Sequence, residues 1–263
     1  LQGTATLLKE EEPDSMGRHA TVAGRMAASA AARGKVFTKL AREIFVAARS
    51  GADPEMNSKL RLAIERARQH NLPKDNIERA IKKGSGELDG ESYEEITYEG
   101  YGPGGTAVLV ECLTDNRNRT APDIRRLFTK GGGNIGEMGS VAWMFKRKGI
   151  FQLGQGAAED KVLEAVLDAG AEDVSTDEDG VTVTCDVTEF GAVRAALEKA
   201  GFEIVRSGLE MISDTRVSLT GEAAQTFLGL VAKLEDNDDA QRVFHNCDIS
   251  SADFEAFVAS QGM

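Results

Sequence analysis

Apolar residues recur at helical spacing through the first third of the chain. Val36, Phe37, Leu40, Ile44, Ala47 and Ala48 share one face, which predicts a helix from about Lys35 to Ser50 with Gly51 as its stop. Asp53 and Pro54 open a second helix, in which Met56, Leu60, Ala63, Ile64 and Ala67 form the stripe. Pro73 fits the first turn of a third, Asp75 and Glu78 resemble a capping pair, and Ile77, Ala80 and Ile81 are its apolar side. Gly84 and Gly86 end it. Alanines crowd residues 20–33 and extend the helical character upstream. The three stripes together predict a small helical bundle.

After residue 88 the pattern changes. Glu94–Glu99 and Thr106–Thr114 read as strands, the second apolar enough to be buried. Asn118–Lys130 reads as a helix capped by Thr120, with Asp123 three residues on, and Gly131–Gly133 ends it. Val141–Lys146 alternates like a strand. The next stretch gives strand Gly149–Leu153, helix Ala158–Ala169, strands Asp173–Thr176 and Val181–Asp186 about an Asp179–Gly180 turn, helix Glu189–Ala200 and a strand near Ile204–Ile212. That order, βαββαβ, is the ferredoxin-like motif. Arg216–Leu219, Glu222–Leu234 and Gln241–Cys247 then read as strand, helix and strand, half of another such unit, whose other half lies at 105–147. The expected architecture is α+β in three domains: a basic helical domain at 16–88, a discontinuous α/β domain at 89–147 and 209–250, and a βαββαβ domain inserted at 148–208. Residues 1–15 are expected to be a disordered leader: their acidic Lys9–Pro13 stretch suits neither a secretory signal nor a transit peptide.

Charge sharpens that division. The chain has 263 residues and a net charge of −12, but residues 16–86 carry 15 Lys and Arg against 6 Asp and Glu, while residues 87–263 carry 15 against 33. An acidic protein with a strongly basic first domain points to a polyanion partner for that domain. Lys35, Lys39, Arg42 and Arg49 fall opposite the first apolar stripe, Lys59 and Arg66 flank the second, and Arg79, Lys82 and Lys83 project away from the third. These positions suit a phosphate-contacting face or, equally in kind, a solvated surface. No apolar run approaches the roughly 18 residues that span a bilayer, so no membrane association is expected. Three widely spaced cysteines suit a reducing, cytoplasmic setting rather than a disulfide framework.

No catalytic pattern stands out, and no enzyme activity, cofactor or metal is expected. Tyr101–Gly105 lacks the Lys-Ser/Thr of a phosphate loop and precedes a strand rather than a helix. It reads as a glycine-rich turn or, alternatively, as a loop in which Tyr101, Gly102, Gly104 and Gly105 approach an anion or a partner. Arg117 and Arg119, between a strand end and a helix N-terminus, either hold an anion or pair with acids of the acidic half. His245 and Cys247 share a strand face, but two ligands do not make a zinc site.

Five stretches in order carry a resemblance: RGKVFTKLAREI at 33–44, LPKDNIERAIKKG at 72–84, YEGYGPGG at 98–105, VECLTDNRNRT at 110–120 and LEDNDDAQRVFHN at 234–246. In these the chain resembles the YebC/PmpR family, relatives of the mitochondrial translational activator of cytochrome oxidase subunit one. The resemblance implies three domains with the third inserted in the second. It implies a non-enzymatic DNA-binding transcriptional regulator or, alternatively, a ribosome-associated factor that grips ribosomal RNA and relieves stalled translation; a monomer is expected. It places nucleic-acid contacts on Arg33, Lys35, Lys39, Arg42, Lys74, Arg79, Lys82 and Lys83, which stand inside the matching motifs. The segment MGRHATVAGRMAASAAARGK at 16–35 departs from the family's more basic start, so contacts from 16–32 are not carried over.

Overall fold

The computed structural model describes residues 30–88, 92–177 and 180–260, and the side chains among them except those of 30–33 and 177. The leader, the alanine-rich segment before Ala30 and Asp179 of the expected turn lie outside the described residues. The fold is α+β.

Helices α1 (Ala30–Ala48), α2 (Ser58–Gln69) and α3 (Lys74–Gly84) form the bundle. Leu40, Ile44, Leu60, Ala63, Ile64, Ala67, Ile77 and Ala80 close its core, as their spacing predicts. Met56 does not join them: it lies before α2 begins and is 87% exposed. The helix starts instead at Asn57, whose side chain accepts from the Leu60 amide at 3.0 Å and donates to the carbonyls of Ala47 and Gly51, tying α2 to the end of α1. At the far end, a Cβ on Gly84 would collide with the Phe45 carbonyl, so α3 packs on α1 backbone to backbone.

The first sheet has the order β3-β1-β2-β9, from Asn134–Ile135, Glu94–Tyr101, Ala107–Thr114 and Ala240–His245. Helices α4 (Arg117–Lys130) and α7 (Gly221–Asp236) cover one face and bury Val108, Val110, Ile124, Phe128, Phe227 and Leu230. The order varies the ferredoxin-like one: β1 occupies the place between β2 and β3, while the third strand, β8 (Val217–Leu219), leaves to pair in parallel with β10 (Cys247–Ile249). Asn246 breaks the strand expected at Gln241–Cys247. Its side chain accepts from the Ala107 amide and its carbonyl from the Val217 amide, so His245 and Cys247 belong to different sheets. The final helix α8 (Ser251–Ser260), which packs on α7, lies beyond the expected end of the fold at 250.

The second sheet takes Phe145–Leu153 (β4), Ala171–Asp177 (β5), Gly180–Asp186 (β6) and Ile204–Ser213 (β7) in the order β7-β4-β6-β5, all antiparallel, as a βαββαβ unit requires. Helices α5 (Glu159–Val166) and α6 (Phe190–Lys199) bury Val162, Val166, Phe190, Val193 and Leu197 against it. The β4–β7 ladder runs from Phe145 opposite Ser213 to Leu153 opposite Ile204, so the boundaries expected at 147/148 and 208/209 fall inside it.

Candidate nucleic-acid interface

The cations predicted for phosphate contact divide into two sets according to the helix that carries them. Those of α1 and α2 turn toward the rest of the chain. Lys35 pairs with Asp236 at 2.5 Å, and Lys39 donates to the Glu235 carbonyl at 2.5 Å. Arg42 donates to the Asp238 carbonyl at 2.6 Å, reaches Asp239 at 3.4 Å and lies over the Tyr93 ring. Lys59 bonds Glu95 at 2.5 Å. Arg66 is 3.3 Å from Glu43, whose other carboxylate oxygen takes Arg242 of β9; Arg242 also donates to the Leu209 carbonyl of β7. Burial raises the Glu43 pKa, but Arg66 and Arg242 together outweigh it and hold the group below the ordinary carboxylate range. Part of the charge asymmetry legible in the sequence is therefore paired within the molecule, where Lys35, Arg42 and Lys59 of the basic bundle meet Asp236, Asp239 and Glu95.

The cations of α3 behave differently. Arg79, Lys82 and Lys83 are exposed, lie on the side away from Ile77 and Ala80, and have no ion pair or side-chain hydrogen bond among the described residues. Lys74 makes one loose contact, 3.6 Å to Glu78 one turn on, with its side chain 86% exposed. Lys82 and Lys83 also sit in the last turn, where cations complement the helix dipole. The Arg33 side chain lies outside the described residues.

The candidate anion loop separates into two unrelated parts. Tyr101–Gly105 is the turn between β1 and β2. Gly102 donates to the Thr106 carbonyl, Gly105 donates to the Gly102 carbonyl, and Gly104 takes φ +67° against Leu219. Arg117 and Arg119 stand at the opposite end of β2, roughly 25 Å away along an eight-residue strand. Arg119 is held by acids of the acidic half: 2.8 Å to Asp115, and 2.9 and 3.1 Å to the two oxygens of Asp239. Those bonds raise its pKa. Asp239 is buried, which pushes it up, yet the bonds from Arg119 and Thr120 outweigh burial and hold it below its usual range. Arg117, exposed, has no such bond among the described residues.

The cap of α4 differs from expectation. Asn116 is the N-cap and accepts from the Arg119 amide at 3.2 Å. Thr120 lies inside the helix, 1% exposed, donating to Asp239 at 2.7 Å with its hydroxyl 2.7 Å from that of Thr114. The Thr-x-x-Asp pattern matched, but Asn116 four residues earlier met the same need first. A buried carboxylate about 120 residues away, invisible to local spacing, claimed the threonine.

Comparison with known proteins places this geometry. Residues 17–87 match the TACO1/YebC protein N-terminal domain, and residues 93–247 match the TACO1/YebC second and third domain. The chain belongs to the TACO1/YebC family. A probable transcriptional regulatory protein of Geobacter sulfurreducens is 53% identical over 239 residues, covering 90% of this chain and 97% of its own length. One of Treponema denticola, also named a probable transcriptional regulatory protein, is 50% identical over 232 residues, 88% of this chain and 94% of its own. The crystal structure of the conserved hypothetical protein Aq1575 from Aquifex aeolicus superposes with a TM-score of 0.76 at 45% identity, covering 84% of this chain and 93% of that one. For this family member, no helix among the described residues is long and apolar enough to cross a membrane, and no group of three His, Cys, Asp or Glu there is arranged to hold a metal ion.

Proposed function

We propose that this TACO1/YebC protein is a non-enzymatic, cytoplasmic regulator of gene expression that binds nucleic acid through the outer face of α3, with Arg79, Lys82 and Lys83 on the phosphates and Lys74 at the edge. One observation carries the reading: Arg79, Lys82 and Lys83 project into solvent without an ion-pair partner among the described residues, while Lys35, Lys39, Arg42, Lys59 and Arg66 of α1 and α2 are taken by Asp236, Glu95, Glu43 and backbone carbonyls. The relatives' names support regulation of transcription; DNA is the polyanion that this reading takes first. Ribosomal RNA is the second reading, supported by the acidic α/β half packed beside the bundle: 33 acids against 15 bases in residues 87–263 repel a long straight duplex.

The test is the salt dependence of binding. Each phosphate that a cation neutralises gives up its counterions on binding. Reversing Arg79, Lys82 and Lys83 should therefore flatten the slope of log affinity against log salt by roughly 0.7–0.9 for each phosphate no longer neutralised. Fluorescence anisotropy with a DNA duplex and with a ribosomal RNA fragment separates the two targets. A triple variant that folds normally and keeps the parental slope on both would refute the site.

A further inference from the structure

The segment from Gly136 to Met144 is tied down more firmly than a simple connection requires. The Glu99 carboxylate, 5% exposed, lies beneath it and accepts three backbone amides: Gly139 at 2.6 Å, Val141 at 2.8 Å and Ala142 at 2.7 Å. Burial raises the Glu99 pKa, but the three amides outweigh it and keep the group below its ordinary range. Val141, fully buried, anchors the loop among Ala107, Leu109 and Phe145. The Ser140 carbonyl accepts from the Tyr101 hydroxyl at 3.0 Å and from the Trp143 indole nitrogen at 3.1 Å. A buried ionised carboxylate without a cation is costly unless amide donors satisfy it. Here they do, and the outcome is a stiff loop with two large apolar side chains in water, Trp143 at 70% and Met138 at 93% exposure.

The chemistry of that surface narrows its partner. Among the described residues the other large exposed apolar side chains, Met56, Leu88, Leu163, Leu167, Val187 and Val205, lie on other segments, so the loop itself offers two such side chains, Trp143 and Met138. The loop also carries Gly136, Gly139 and Ser140, and the Cβ direction of Gly139 opens to empty space. The indole N–H, which a protein or base edge would otherwise use, already donates to Ser140. What remains to offer is a flat π face whose orientation is fixed in advance, and such a face loses little entropy on binding. A flat, sequence-indifferent stacking platform suits an unpaired nucleobase.

We propose that Trp143 is a stacking contact for an unpaired base of a single-stranded or looped nucleic acid, with Met138 a second exposed apolar side chain on the same loop. This rests on the nucleic-acid reading above but on a different surface, so the two can fail separately. Trp143 is the only tryptophan in the chain, so its emission reports the contact directly. Intact protein is titrated with single-stranded oligoribonucleotides, the matching single-stranded DNA and the corresponding duplexes, with anisotropy of the labelled strand read in parallel. The expected result is quenching by one or both single strands and little by duplex. Trp143→Ala should weaken single-strand affinity by roughly 5–100-fold, and Trp143→Phe should retain most of it. Both variants should fold, because the ring is exposed. RNA quenching in excess of DNA would point to the ribonucleotide source. If single strands bind with the salt slope assigned to α3 while emission stays unchanged and Trp143→Ala binds like the parent, the stacking proposal is overturned, the α3 reading stands, and the loop is left to a protein partner. If no nucleic acid binds at all, both are overturned.

Discussion

The Lys39 ammonium lies 2.5 Å from the carbonyl oxygen of Glu235, so a lysine of the bundle closes the C-terminal end of α7, a helix from the other half of the chain. The last carbonyls of a helix have no partner within it, and a cation there satisfies both the hydrogen bond and the dipole. Lys35 reaches the next residue, donating to the Asp236 carboxylate and, at 3.4 Å, to its carbonyl, and Arg42 takes the Asp238 carbonyl just past the helix end.

The joint should respond to alkali. Burial lowers the Lys39 pKa to about 8 from 10.5, despite the attraction of Glu235, Asp236 and Asp238. Between those two values the unfolded chain holds a proton that the folded one has released, so stability rises with pH through that window. The gain is on the order of 3 kcal/mol. Lys39→Met should abolish the rise, as urea melts on either side of the window would register. A parallel pH profile for parent and variant would dismiss the assignment.

Asp239 should make the fold sensitive to acid. Its carboxylate accepts from Arg119 and Thr120 and is held below its ordinary 3.8. Its contribution is present in full above that value and fades as pH falls through the lower, folded pKa. Asp239→Asn should cost about 2 kcal/mol near neutrality and blunt the acid limb of the stability curve. Circular-dichroism melts over the acid range measure both.

The two candidate caps of α4 separate by substitution. Asn116→Ala should lose about 1 kcal/mol, the ordinary worth of an N-cap. Thr120→Val keeps the shape but leaves Asp239 and Thr114 without the hydroxyl, at roughly 1–3 kcal/mol. If Thr120→Val proved neutral and Asn116→Ala did not, the buried network around Asp239 would carry no weight.

Glu43 links the bundle to both sheets, since Arg66 lies on α2 and Arg242 bridges β9 to the Leu209 carbonyl of β7. Glu43→Gln strands two arginines and should destabilise by about 3 kcal/mol. The triple change of Glu43, Arg66 and Arg242 to Met should recover much of that loss, because the desolvation cost disappears with the charges. Thermal unfolding of the single and triple variants decides this.

Much of the fold was legible because its causes are local. The stripe Leu40–Ile44–Ala47 had to face inward wherever the helix docked, and the βαββαβ order around residues 149–212 fixed strand pairing through hydrophobic alternation and short turns. The departures have equally definite causes. Val141–Lys146 alternates like a strand, but Val141 anchors the Glu99-clamped loop and the strand begins only at Phe145. Met56 matched a helical stripe, but Asn57 capped the helix after it.

By itself the sequence determined which residues are apolar at which period, where charge changes sign, and hence the helices, most strands and a bundle rich in cations. It could not determine which cations remain available. Lys35 and Lys82 look alike in sequence, each a lysine on a basic helix near an apolar stripe. Only the packing of α1 on the end of α7 brings Asp236 to the first, while the outward face of α3 leaves the second without an ion-pair partner among the described residues. Ion pairing depends on a few ångströms of distance in space, and spacing along the chain does not encode the separation of Lys35 and Asp236, 201 residues apart.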